Sequence, residues 1–181
     1  MEQNRISVWK GTLNPGIFLG LVLVLYSLLL YFTDQTFNKT LGSVVYLIYI
    51  AGSVLAVRSF RDKVRGGYIS YGQVVGAGAV VGLYAGIVAG VFTYILYTMI
   101  DPGLLDKLLE FTKQTMLDKG LTDEQVEMSL KASSFMMKPW IMAISSVINS
   151  VFMITIISLI AGIFLKREPE NPFQVQDQEE E

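Results

Sequence analysis

The sequence predicts an all-α polytopic membrane protein with four transmembrane helices and an amphipathic helical hairpin between spans three and four. Three observations carry this prediction. Only 17% of the 181 residues are charged, mean hydropathy over the chain is +0.48, and uncharged runs occupy 15–32, 40–57, 71–100 and 140–165. Each run approaches or exceeds the roughly 20 residues a helix needs to cross a hydrocarbon core about 30 Å thick. The balance of 14 Lys and Arg against 16 Asp and Glu excludes the basic surface on which nucleic-acid binding depends. With no His and no Cys, thiolate nucleophiles, disulfides, His-based triads and zinc or copper sites are excluded, and neither a metal nor a cofactor is expected.

Span one, Pro15 to Phe32, follows a short N-terminal segment, 1–13. Asn14 suits an N-cap and Pro15 the first helical position, so the helix is expected to begin there. Arg5 and Lys10 ahead of an apolar run also suit a signal peptide. The run, however, is longer than the usual apolar region of one, and Thr33-Asp34-Gln35 follows where a small-residue cleavage site would lie, so the segment is expected to stay uncleaved. Span two, Thr40 to Val57, comes after so short a link that the two must form an antiparallel pair. Span three, Tyr71 to Ile100, is about 45 Å long at 1.5 Å per residue, which implies tilt or projection past the headgroups. Asp101-Pro102-Gly103 closes it, and span four runs from Trp140 to Leu165 between Lys138-Pro139 and Lys166-Arg167.

Four spans place both termini on one side, and the cations say which. All five arginines fall in 1–13, 58–70 and 166–181, so these segments are assigned to the cytoplasm. Within the 58–70 turn, Arg58, Arg61, Lys63 and Arg65 are candidate contacts for lipid headgroups, each worth about 1 kcal/mol at an anionic surface. The positive-inside rule accounts for them without any specific ligand. The Gly66-Gly67 pair permits a sharp reversal. Residues 168–181 carry acids and no cation, the composition of a disordered acidic tail.

Span three carries Gly78, Gly82, Gly86 and Gly90 at every fourth position. Each glycine costs a helix in water about 1 kcal/mol relative to alanine. In lipid, small residues at this spacing form a groove for a neighbouring backbone. The neighbour can be another helix of the same chain, a second copy, or the far wall of a pore, and packing within the chain is the favoured reading. Span four offers Ala143, Ser146, Ser150, Ser158 and Gly162 as an opposing surface, with the Asn149 amide expected to bond between helices. No span contains Asp, Glu, Lys, Arg or His, which disfavours a proton-coupled carrier.

Residues 101–139 are too many for a structureless connection. Leu104, Leu108 and Phe111 form one stripe and Leu105, Leu109 and Met116 an adjoining one, opposite charged residues at a helical period. These six are the candidate partner surface. Gly120 ends this helix, and Thr122 with Gln125 has capping-box spacing for a second that continues through Val126, Leu130 and Met137. The apolar faces can meet each other, lie on the bilayer or bind a partner, and packing within the hairpin is the favoured reading because short amphipathic helices usually bury their faces against one another.

Arg61-Asp62, the run from Gly66 to Gln73 (GGYISYGQ), the Gly-rich span, Tyr94 and Tyr97, Ile100-Asp101-Pro102 and an acidic Met-containing loop follow one another in this order. In this succession, over about residues 10–167, the chain resembles the small bacterial four-span membrane proteins labelled domain of unknown function 4199. The resemblance implies the four-span topology and a bacterial origin and brings no catalytic residue.

The expected function is that of a non-enzymatic protein working by helix packing and partner contacts, such as an accessory or assembly factor. Its expected partners are the bilayer, a membrane or periplasmic protein, and a second copy of the chain. The alternative is a small oligomeric channel or carrier lined by the glycine ladder. An interfacial enzyme would have to gather Asp34, Asp101 and the loop carboxylates as acid and base.

Overall fold

A computed structural model describes residues 7–167. They form α1 (Val8–Phe32), α2 (Lys39–Val64), α3 (Tyr71–Ile95), α4 (Leu104–Asp118), α5 (Asp123–Ser133) and α6 (Pro139–Leu165), with a π-helical turn, Leu96–Ile100, continuing α3. α1, α2, α6 and α3 with its π turn are each long and apolar enough to cross a membrane. The chain is an all-α, multi-pass membrane protein. The acidic tail expected at 168–181 and Arg5 lie outside the described residues.

Three boundaries differ from expectation. α1 begins at Val8, and Pro15 lies inside it. A proline removes one helical hydrogen bond, here the one to Gly11. Packing offsets that loss: Gly11 lies against Phe60 and Val64 of α2, and Thr12 is fully buried with its hydroxyl donating to the Val8 carbonyl at 2.7 Å. α2 continues past its apolar run to Val64, so Arg58, Arg61 and Lys63 stand on a helix. The reversal is left to Gly66 and Gly67, at φ 65° and 92°, a region glycine enters without steric cost. α5 stops at Ser133, leaving Met137 in a turn. Lys138 is extended, with ψ 133°, because it precedes Pro139, the first residue of α6.

α3 is the central helix. It runs parallel to α1, with Gly16 of α1 against Tyr84 and Gly20 against Val88, and antiparallel to α6. α2 completes the bundle against α1, α3 and α6. One core gathers Leu19, Leu23, Tyr49, Ala56, Val81, Ala85 and Ile154, and a second, at the arginine-bearing end, gathers Val57, Phe60, Ile69, Val74 and Ala77. Between the helices lie small and hydroxyl side chains, Thr12, Ser53, Ser150 and Ser158 among them, while Phe18, Leu47, Phe152 and Phe164 point outward. In a bilayer the outward side chains meet lipid tails as apolar as themselves, so close approach and hydrogen bonds hold the helices together.

Candidate functional site

The glycine ladder faces α6. A Cβ at Gly82 would stand 2.9 Å from the Ser150 carbonyl oxygen, at Gly86 2.8 Å from Val147 Cα, and at Gly90 2.7 Å from the Ala143 carbonyl oxygen. Gly78 lies directly under the Ser158 side chain. The ladder is therefore packed along its length against a helix of the same chain, and at Gly90 it also borders an open groove of about 370 Å³ shared with Tyr94, Trp140 and Val147. Gly72 and Gly76, four residues apart in the same helix, have open space where a Cβ would be.

The polar members of span four separate. Ser150 is fully buried and shares a 2.8 Å hydrogen bond with the Tyr49 hydroxyl of α2. Ser146 is half-buried. Asn149 does not take the interhelical position expected of it: it is exposed and makes no side-chain hydrogen bond among the described residues. Buried positions on α6 recur at Ser150, Ile154, Ser158 and Gly162, and the residue before Ser150 is turned about 100° away from that stripe. Tyr49 was missed, because nothing in the sequence pairs it with a serine 101 positions away.

At the arginine-bearing end, Arg61 is buried, which corrects its expected role as a headgroup contact. Its Nε donates to Asp62 at 2.7 Å and its Nη1 to the Leu165 carbonyl at 3.3 Å. It thus satisfies one of the carbonyls left free at the end of α6. Beside it, Ile69 and Arg167 exchange backbone hydrogen bonds of 2.8 and 2.9 Å. Arg58 lies 3.9 Å from Asp62, and the Arg65 guanidinium sits 5.6 Å from the centre of the Phe60 ring. Lys63 is exposed and forms no salt bridge among the described residues.

The opposite end carries α4 and α5. α4 closes with the Gly120 amide on Leu117 and the Leu121 amide on Met116, a Schellman arrangement around Gly120 at φ 85°. α5 opens with the Thr122–Gln125 capping box. Of the six candidate partner residues, Leu104 is buried, and Leu105, Leu108, Leu109 and Met116 are half-buried. Phe111 is committed elsewhere: it stacks on Phe37 of the α1–α2 link at 5.4 Å, with the Lys39 ammonium 5.6 Å from its ring. Asp101 accepts from the Tyr31 hydroxyl at 3.4 Å and lies 3.9 Å from Lys107, whereas Asp34 is exposed at φ 54°. Among the described residues, no three carboxylates stand together as a metal cradle.

A family model described as a protein of unknown function, DUF4199, matches residues 14–167. No curated protein and no solved structure matches the chain.

Proposed function

Since the chain belongs to the DUF4199 family, whose description carries no activity, we propose that it is a non-enzymatic protein of the bacterial inner membrane, with both termini cytoplasmic, acting as an accessory or assembly factor for another membrane or periplasmic protein. The observation that carries this reading is the outer segment between α3 and α6. Its helices pack on each other and only lightly on the spans, and Met128, Phe135 and Met136 are 67%, 55% and 63% exposed. Exposed apolar side chains on a segment most of whose leucines are only half-buried fit an adaptable contact surface.

Site-specific photocrosslinking from position 128 in native membranes tests it. A discrete crosslinked protein is expected, lost in a Met128→Asp, Phe135→Asp double variant that still inserts. Crosslinks to lipid alone would defeat the proposal. The channel alternative draws little support from the ladder, since α6 fills it, and a liposome flux assay is expected to show no conductance above protein-free vesicles.

A further inference from the structure

A groove of about 630 Å³ lies between α1 and α2, and its two ends differ in chemistry. Most of its length is apolar. The floor is made by Leu19, whose side chain lies against Gly52 of α2, and by Ala56, and the rims by the exposed Phe18 and Leu55. At one end the lining turns polar, with Asn14, Ser59 and Lys63. Along α2 the groove extends from Ile48 to Lys63, about 22 Å at 1.5 Å per residue. That exceeds half of a hydrocarbon core about 30 Å thick, the depth one leaflet's acyl chain occupies.

We propose that this groove is a binding site for one anionic phospholipid, its acyl chain lying on Leu19, Gly52 and Ala56 and its phosphate held by Lys63 with Ser59 and Asn14. The charge pattern selects this occupant over a second copy of the chain. A helix packing here would have to bring an acceptor opposite an ammonium at the end of an otherwise apolar face, whereas a phospholipid carries that arrangement itself. Among the described residues no carboxylate is within salt-bridge distance of Lys63; Asp62, the next residue, pairs with Arg61 and Arg58. The cation is therefore available to an external anion.

The test is native mass spectrometry of the detergent-purified full chain with phosphatidylglycerol and phosphatidylcholine of identical acyl chains. The parent protein is expected to retain phosphatidylglycerol preferentially. Lys63→Gln, at an exposed position, should lower that retention about fivefold, the factor one juxtamembrane charge supplies, and lower phosphatidylcholine, whose phosphate is offset by its own choline cation, by less. Ala51→Trp, which fills the groove from its open side, should lower both. Equal retention of the two lipids by the parent, or undiminished phosphatidylglycerol on Lys63→Gln, would overturn the site. Should Ala51→Trp fail to fold, Phe18→Trp supplies a second readout. Its added fluorescence should be quenched at lower mole fractions by brominated-chain phosphatidylglycerol than by the phosphatidylcholine analogue, and coincident curves would overturn the site equally.

Discussion

Substituting alanine for glycine at two positions of α3 separates helix propensity from helix contact. A Cβ at Gly82 would stand 2.9 Å from both the Ser150 carbonyl oxygen and Val151 Cα, whereas at Gly76 it meets nothing within 4 Å. Both obstacles at Gly82 are backbone, so no rotamer change relieves them. α6 must withdraw, loosening its contacts along the ladder, and overpacking of this kind costs about 1–3 kcal/mol. Gly76→Ala meets no such obstacle and keeps the gain from restricting the unfolded chain, about 0.4–1 kcal/mol. The two variants should therefore differ by about 1–3 kcal/mol, the overpacking cost, because the gain from restricting the unfolded chain is common to both. Equilibrium unfolding by SDS titration in mixed micelles, followed by circular dichroism, measures the difference. Equal midpoints for Gly82→Ala and Gly76→Ala would refute the reasoning, since both substitutions make the same chemical change in the same helix.

The Tyr49–Ser150 bond, buried within the spans, should give a coupling of about 0.6–1.7 kcal/mol in a Tyr49→Phe, Ser150→Ala double-mutant cycle; additive single effects would show that the bond does not hold α2 to α6. Arg61→Met removes the donor to Leu165 and the partner of Asp62, and should cost about 1.5–3 kcal/mol and speed hydrogen exchange at Ile69 and Arg167, whose amides close the neighbouring bridge; unchanged exchange would show that the guanidinium does not secure that end. Asn149→Leu, at an exposed position on α6, should leave folded yield within error of the parent, and a clear loss of yield would show that the amide has a partner within the bundle. Because the native chain has no Cys, single cysteines report topology without background. Position 113 should react with an impermeant thiol reagent in spheroplasts and position 63 only after lysis, and reversed reactivity would invert the orientation.

The four spans, the turns and the caps were legible in the sequence because each rests on local chemistry. Burying backbone in lipid demands long charge-free helices, and the four runs meet that demand whatever they later contact. The reversal at Gly66-Gly67, the end of α4 at Gly120 and the Thr122–Gln125 box likewise depend only on neighbours within a few residues. The four-residue spacing of Gly78, Gly82, Gly86 and Gly90 also marked the ladder as a candidate surface of close approach. Span four was offered as its opposing surface from the small residues it carries, but the register, with Gly82 against Ser150 and Val151, was beyond reach, because those residues meet only after the chain has passed through α4 and α5.

Tertiary structure decided everything that depends on rotation about a helix axis or on a distant partner. Arg61 and Lys63 are two positions apart in one cationic run, yet one is turned inward to close the end of α6 and the other faces out at the mouth of the α1–α2 groove. Asn149 and Ser150 are adjacent, and the step of about 100° between them sends one outward and the other onto Tyr49. Pro15 reads as a helix start, and it became an interior residue because Gly11 and Thr12 pack against the end of α2 and its neighbours. Insertion into a membrane follows the one-dimensional pattern of apolar and charged residues. Which faces meet is set by the fit of surfaces brought together from distant parts of the chain, and in a bundle whose inner and outer faces are both apolar no polar stripe marks that choice in advance.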